Sequence, residues 1–284
     1  MTVITGGRLA GGALSPWDQL CGFKPGDDPW AARKAEDAEA MALVGAQPHY
    51  LGFSDVQYRA RPVRFGRLRP WAVRAADAAR ERADCELAPQ IERALESRIE
   101  TLDVETWFIP LGLGHPDHRM VGAICARLAA RMQDRTWVAY VDLPYGPRSP
   151  VLVSNANKNL ASLGFSIEPL DISLPPSASR KREVIACYRS QLGALGDQVE
   201  GAIAAQETFS SLSLGPGRLA PSSWNSYCTM PSSRLATPPS KTTTRLSAME
   251  SWQNGWPQPP RAWPLTALPQ GTELRSTWAT RLHL

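Results

Sequence analysis

Two histidines three residues apart, His115 and His118, are the residues of this chain best placed to do chemistry. They lie in the segment Gly114-His115-Pro116-Asp117-His118, which follows an apolar run and opens a helical pattern. Residues three apart on a helix share one face, so both imidazoles can face the same small volume. Asp117 can orient an imidazole by accepting its N–H, which fixes the tautomer. The spacing indicates a metal site, with a helix-capping or surface histidine as the alternative.

Short apolar runs alternate with helical patterns over residues 1–209, and these elements must position the two histidines. The strand-type runs cover residues 3–5, 49–53, 106–109, 137–141 and 166–169. This β-α-β-α rhythm predicts an α/β, Rossmann-like fold, in which helices cover both faces of a mostly parallel sheet. Sites in such sheets form at the carboxyl ends of strands, which is where the run at 106–109 would place the histidines.

The helical segments have recognisable starts or apolar faces. Asp28 can cap a helix with Pro29 at its first position, and Gly45 suits its end. Apolar spacing predicts a second helix from Pro89 and a third helix after the histidine motif. The arginines of the third helix are expected to lie outside its apolar face. A last helix is predicted from Ile185, Tyr188, Leu192 and Leu195. Residues 57–87, rich in Arg and Ala, show no clean period.

Charge and composition argue against several classes of function. The net charge of +4 arises in residues 210–284, which hold seven Lys and Arg against two acidic residues. These basic residues do not alternate with aromatics, so no nucleic-acid partner is expected. No apolar run approaches the roughly 18 residues needed to span a bilayer, so no membrane-spanning segment is expected. The five scattered cysteines form no CxxC pair, which predicts reduced thiols and a cytoplasmic protein.

The last quarter of the chain differs in amino-acid composition from the rest. Residues 210–284 hold ten Pro, twelve Ser, nine Thr and five Trp, without a helical or strand period. Such a segment buries too little organised apolar surface to offset its ordering entropy. We therefore predict a domain over 1–209 and a disordered tail over 210–284. Because disordered tails are usually poor in tryptophan, a frame-shifted or joined tail is one hypothesis, and an ordinary variable extension is the other.

Three further segments accompany the histidine motif of residues 109–118. They are Arg33-Lys34-Ala35-Glu36-Asp37 (R-x-x-E), Leu51-Gly52-Phe53-Ser54-Asp55 (LG-x-x-D) and Tyr188-Arg189-Ser190-Gln191 (Y-x-S-Q). In this order the four segments resemble motifs of the PIG-L/LmbE family of zinc-dependent N-acetylglucosamine de-N-acetylases, in which residues 109–118 resemble the second motif. The resemblance covers approximately residues 1–209.

The resemblance implies a zinc-dependent hydrolase of an N-acetylated sugar conjugate. His118 would be a zinc ligand, and His115 would stabilise the oxyanion of the tetrahedral intermediate, with Asp117 supporting the pair. Zinc would lower the pKa of its bound water and so generate the attacking hydroxide. A carboxylate would act as general base and pass a proton to the leaving amine.

Two further matched positions would bind the substrate. By the same resemblance, Arg33 and Asp55 would hold hydroxyls of an N-acetylglucosamine-like group. Each has a simpler alternative. Arg33 can pair with Glu36 or Asp37 across one helical turn, and Asp55 can be a turn residue.

The H-P-D-D motif of the family, which supplies a His ligand, an Asp ligand and the general base, is not found in this sequence. Residues 1–5 resemble the second strand of the family, so the first strand, metal loop and first helix are expected to be missing. Catalytic zinc usually takes three protein ligands. Asp27-Asp28, His49 and His283 do not occupy the position of the motif.

Two alternatives to an active deacetylase follow. One is a non-catalytic α/β carbohydrate-binding remnant that keeps Arg33 and Asp55 and binds no metal. The other is a nucleotide-binding α/β domain, which is disfavoured because the glycine-rich residues 6–12 lack the Lys-Ser/Thr of a phosphate loop.

Overall fold

The structure, a computed structural model, describes residues 1–6, 13–59, 70–172 and 178–215. The strands in these residues are β1 (Thr2–Gly6), β2 (Tyr50–Ser54), β3 (Thr106–Pro110), β4 (Thr136–Tyr140), β5 (Phe165–Leu170) and β6 (Phe209–Leu214). The helices are α1 (Pro16–Leu20), α2 (Pro29–Leu43), α3 (Val56–Arg59), α4 (Pro70–Thr101), α5 (Pro116–Arg131), α6 (Tyr145–Arg148), α7 (Pro150–Ser162), α8 (Ala178–Ala186), α9 (Arg189–Leu195) and α10 (Gln198–Ala204).

The strands form two sheets. β1 and β2 pair in parallel, and the second sheet has the order β3-β4-β6-β5. Within it β3 and β4 are parallel, whereas β6 is antiparallel to both β4 and β5. Three of its strands therefore share one direction, and β6 runs opposite to them. The predicted α/β class with parallel strands is confirmed, but the described strands make two sheets where one was expected.

One hydrophobic core joins the two sheets. Val3 of β1 and Ile109 of β3 belong to the same buried cluster. Helices α4 and α5 supply most of its fully buried side chains, among them Ile91, Ile124 and Leu128. Side-chain packing, driven by removal of apolar surface from water, therefore holds the sheets together.

Two predicted helices have the expected starts. The side chain of Asp28 accepts hydrogen bonds from the N–H groups of Trp30 and Ala31, with Pro29 at the first position of α2. That helix ends before Gly45, whose φ of +67° suits glycine. In α5, His115 is the N-cap and Pro116 the first residue. The predicted starts of both helices are confirmed, and α2 ends within one residue of the predicted end.

Two other helix predictions are wrong in their extent. Helix α4 begins at Pro70, well before the predicted start, and Pro89 lies inside it. The added residues show no apolar period, but many of them have high helix propensity. The predicted last helix is two helices, α8 and α9, and Tyr188 lies at the break between them. The side chains of Arg127 and Arg131, expected outside, pair with Glu92 of α4.

The predicted domain boundary at residue 209 cuts a strand. Residues 210–214 belong to β6, where Leu212 is buried against the core, so this part of the expected tail is ordered in the sheet. The strand has the sequence Phe-Ser-Ser-Leu-Ser-Leu, and its serines interrupt the apolar run by which a strand is predicted. Residues 216–284, including His283, lie outside the described residues, so disorder of the tail stays a prediction.

The cysteines only partly match the expectation of reduced thiols. Cys21, Cys125 and Cys187 carry free thiols, whereas Cys85 is disulfide-bonded. In the described part of the chain, no helix has both the length and the apolar character needed to cross a membrane.

Candidate functional site

The candidate site lies where β2 and β3 end. Asp55 directly follows β2, and His115 caps the helix that follows β3. Ligand atoms of Asp55, His115 and Asp117 all lie within 4.8 Å of one another. Carboxyl ends of parallel strands are where α/β proteins form their sites, and the structure brings these three residues together at that edge.

The loop between β3 and α5 is tightly packed. Gly112 and Gly114 have φ values of +84° and +69°, a region that disfavours residues with a Cβ atom. A Cβ at Gly114 would lie 2.3 Å from the ring of Tyr145. Glycine is therefore required there both by the backbone and by the neighbouring ring, which fixes the position of His115.

His115 has a defined tautomer when it is neutral. Its Nδ1 accepts a hydrogen bond from the backbone N–H of Asp117 at 3.3 Å, so the ring proton is on Nε2. Partial burial lowers the pKa of His115 to about 4, against the opposing charge of Asp117. With 35% of its side chain exposed, His115 is a neutral ring that can donate a hydrogen bond from Nε2 at pH 7.

His118 lies beside His115, as the spacing predicted. The two rings meet edge to face with centroids 5.6 Å apart, and Tyr145 packs on His118 at 5.5 Å. The Nδ1 atom of His118 lies 2.8 Å from a carboxylate oxygen of Asp142. Asp142 was missed in the sequence, although it lies two residues beyond the end of a strand that runs parallel to β3.

Asp117 does not orient either imidazole through its carboxylate, and that expectation is wrong. Its nearer oxygen is 3.8 Å from Nδ1 of His115, which is too long for a hydrogen bond. The carboxylate instead pairs with the guanidinium of Arg59 and accepts the N–H of Val56 at 3.1 Å. Hydrogen bonds between charged groups are the stronger ones, which favours the guanidinium of Arg59 over the ring as the partner of the Asp117 carboxylate.

Arg59 is a buried cation beneath the site. Its side chain is 4% exposed, pairs with Asp84 at 2.8 Å as well as with Asp117, and donates to the carbonyl oxygen of Ser54 at 2.7 Å. One side chain thus ties the end of β2 to α4 and α5. No sequence signal distinguishes Arg59 from the other arginines around it.

Asp55 is a carboxylic acid of unusual pKa. Burial, followed by the nearby charge of Asp117, raises its pKa from the ordinary value of 3.8 to about 6. Its Oδ1 accepts the backbone N–H of Gln57 at 2.9 Å, which is the turn role considered as the simpler alternative. That turn uses one lone pair, so the carboxyl group retains the capacity for further hydrogen bonds.

Arg33 of α2 contacts α1, and its charge also acts on Asp55 of the candidate site. Its guanidinium pairs with Asp18 at 2.8 Å and stacks over the rings of Phe23 and Trp30. Pairing with Glu36 or Asp37, the simpler alternative, is not what the structure shows. Those carboxylates bind the hydroxyls of Ser190 and Tyr188.

The described residues offer candidate zinc ligands at His118 and in one group of three residues. Asp142 engages Nδ1 of His118 and leaves Nε2 as the prepared ligand atom. Among the residues that the structure covers, the one group of three candidate ligands is Asp55, His115 and Asp117, which does not include His118. Arg59 pairs with the Asp117 carboxylate, so a cation bound by this group would share that ligand with the guanidinium. The group is compatible with a divalent metal ion, and a catalytic zinc usually takes three protein ligands.

Comparison with known proteins gives likeness of structure and no match of sequence. No protein-family model and no curated protein matches the chain. A deacetylase of the teicoplanin biosynthesis pathway, solved as its bog complex, matches with a TM-score of 0.53 and 20% identity over 76% of this chain and 87% of that chain. The antimicrobial reagent A40926 pseudoaglycone deacetylase matches at 0.50 and 22% identity over 74% and 82%.

The zinc-inhibited form of a teicoplanin deacetylase matches at a TM-score of 0.52 and 19% identity, over 76% of this chain and 87% of that one. At these identities the likeness concerns the fold. The described chain is therefore an α/β protein with the fold of these deacetylases.

Proposed function

We propose that this chain is a hydrolase of the zinc-dependent de-N-acetylase type, a PIG-L/LmbE family member that acts on N-acetylglucosamine-like conjugates. The observation that carries the proposal is the edge-to-face pair of His115 and His118 at the end of β3, in a fold shared with deacetylases. One of those neighbours was crystallised as a complex with teicoplanin, which supports a conjugate as substrate.

His115 is proposed to stabilise the oxyanion. Amide hydrolysis places negative charge on the carbonyl oxygen in the transition state, and a fixed N–H donor there lowers the barrier. A neutral ring with its proton on Nε2 is such a donor, and the N–H of Asp117 enforces that tautomer. Asp117 is proposed to support catalysis through this backbone contact and its ion pair with Arg59.

Asp55 and Arg33 are proposed to bind sugar hydroxyls. With a pKa of about 6, Asp55 is mostly ionised at pH 7 and accepts hydrogen bonds from hydroxyl groups. Arg33 keeps a buried Nε–H without a hydrogen-bond partner among the described residues. Zinc is the proposed metal, and His118 is the one ligand that the described residues prepare for it.

A non-catalytic carbohydrate-binding remnant is the second candidate, favoured by one observation. In the described residues, His118 is not part of the candidate metal group of Asp55, His115 and Asp117, and Arg59 already pairs with one carboxylate of that group. This candidate keeps Asp55 and Arg33 as its binding residues and needs no metal.

The two candidates differ in amine release. The full chain, supplied with zinc, is incubated with an N-acetylglucosaminyl glycopeptide, and free amine is measured with a fluorogenic reagent. The first candidate requires release, reduced about 10²–10³-fold in His115→Gln and unchanged in Arg182→Gln, whose side chain is exposed and pairs with Glu200. Binding without release, weakened in Asp55→Asn, supports the remnant instead. Neither release nor binding would exclude both.

A further inference from the structure

Asp142 is a buried carboxylate with both oxygens committed. It lies just beyond β4, and its side chain is 2% exposed. Oδ2 accepts the backbone N–H groups of Gly112 at 2.8 Å and Leu113 at 3.1 Å. Oδ1 faces Nδ1 of His118 at 2.8 Å. One carboxylate therefore holds both the β3–α5 loop and the imidazole that follows it.

This arrangement dictates where the proton of His118 resides. An ionised carboxylate only accepts hydrogen bonds, so the short contact requires a proton on Nδ1 of His118. In the neutral ring, Nε2 then keeps its lone pair. The rings of His115 and Tyr145 pack edge to face on His118 and restrict rotation away from this contact.

We infer that Asp142 is the positioning residue of the site, which fixes His118 in the Nδ1-protonated tautomer and presents Nε2 as an acceptor or ligand atom. The use of that lone pair for zinc rests on the proposed function. The tautomer itself does not, and it can be measured without substrate or metal.

Asp142→Asn is the informative substitution because the geometry allows only one amide orientation. The amide oxygen must take the place of Oδ2, where two backbone N–H groups converge. Its NH₂ group then faces His118 and donates to Nδ1, which forces the ring proton to Nε2. The substitution keeps the shape of the side chain and inverts the tautomer.

The experiment is long-range ¹H–¹⁵N correlation NMR of the imidazoles in the metal-free full chain. The chain has four histidines, and His118→Gln identifies the signals of His118 by their loss. At about pH 8.5, where imidazoles are as a rule neutral, the native chain should show His118 protonated at Nδ1. Asp142→Asn should show it protonated at Nε2, and the exposed-carboxylate control Asp103→Asn should match the native chain.

Any of three results would overturn the inference. These are an Nε2-protonated or doubly protonated His118 in the native chain, an unchanged tautomer in Asp142→Asn, or a mixture of tautomers in both. A second readout is zinc affinity, which should fall about 10–100-fold in Asp142→Asn. Correct tautomers in a chain that releases no amine would leave this inference standing while the proposed function fails.

Discussion

The carboxylate of Glu36 accepts hydrogen bonds from both the backbone N–H and the hydroxyl of Ser190, at 2.8 and 2.7 Å, across 154 positions of the chain. Next to it, the hydroxyl of Tyr188 donates to Asp37 at 2.8 Å. The R-x-x-E and Y-x-S-Q segments, which are remote in sequence, are therefore partners in the structure. Glu36 caps the start of α9, next to the break between α8 and α9.

Replacement of Glu36 by Ala should destabilise the fold. It removes two part-buried hydrogen bonds from Ser190 to a charged acceptor, at a cost of about 2 kcal/mol. Urea unfolding measures the loss. Glu39→Ala is the matched control, because the pair of Glu39 with Arg189 is exposed, and its transition should coincide with that of the native chain. Equal effects of the two substitutions would contradict the capping role.

Loss of the Arg59 cation should lower the free energy of unfolding more than loss of Glu36 does. Arg59→Met leaves Asp84 and Asp117 buried without their counter-charge, which typically costs about 3–5 kcal/mol. Adding Asp84→Asn and Asp117→Asn to Arg59→Met should recover part of that loss, because no unpaired charge then remains. The exposed arginine of the Arg182–Glu200 pair provides the control, Arg182→Met. A triple variant less stable than Arg59→Met alone would refute this account.

Asp55 should make stability depend on pH. Its pKa is about 6 in the folded chain against an ordinary 3.8, so between these values the folded state binds more protons than the unfolded state. Its contribution to the free energy of unfolding therefore falls as the pH rises through this window. Asp55→Asn removes that contribution, and its stability relative to the native chain should increase from pH 4 to 6.

Unfolding by urea at several pH values measures this difference. His115, with its pKa lowered to about 4, has the opposite pH dependence, but it is present in both proteins and its contribution largely cancels. A difference that stays constant across the window would show that Asp55 titrates normally.

Two glycine substitutions should have opposite effects. Gly114→Ala puts a Cβ in a left-handed conformation and against the ring of Tyr145, and we expect a loss of about 2 kcal/mol or more. Gly193→Ala lies in α9 with no atom within 4 Å of its new Cβ and should stabilise by about 0.5–1 kcal/mol. Thermal unfolding compares them. If Tyr145→Leu recovers part of the stability lost in Gly114→Ala, the part not recovered is the cost of backbone strain.

Structural features that depend on residues close together in the sequence could be predicted from it. The β3–α5 unit was predicted because an apolar run, glycines and a periodic helix follow one another within residues 106–131. Asp142 and Arg59 were not, because their partners are 24 and 58 positions away, His118 and Asp117 respectively. A lone Asp or Arg has no local feature that marks such a contact. The strand β6 was missed for another reason, since its serines interrupt the apolar pattern.

The division of the strands into two sheets affects how the site can change its width. Asp55 follows a strand of one sheet, and both histidines follow a strand of the other. In the described residues, no backbone ladder crosses between these sheets, so their separation is set by interdigitated core side chains and by Arg59. Core packing tolerates small sliding movements that a hydrogen-bonded ladder resists. Substitutions at core positions far from the site are therefore expected to change the spacing between Asp55 and the imidazoles.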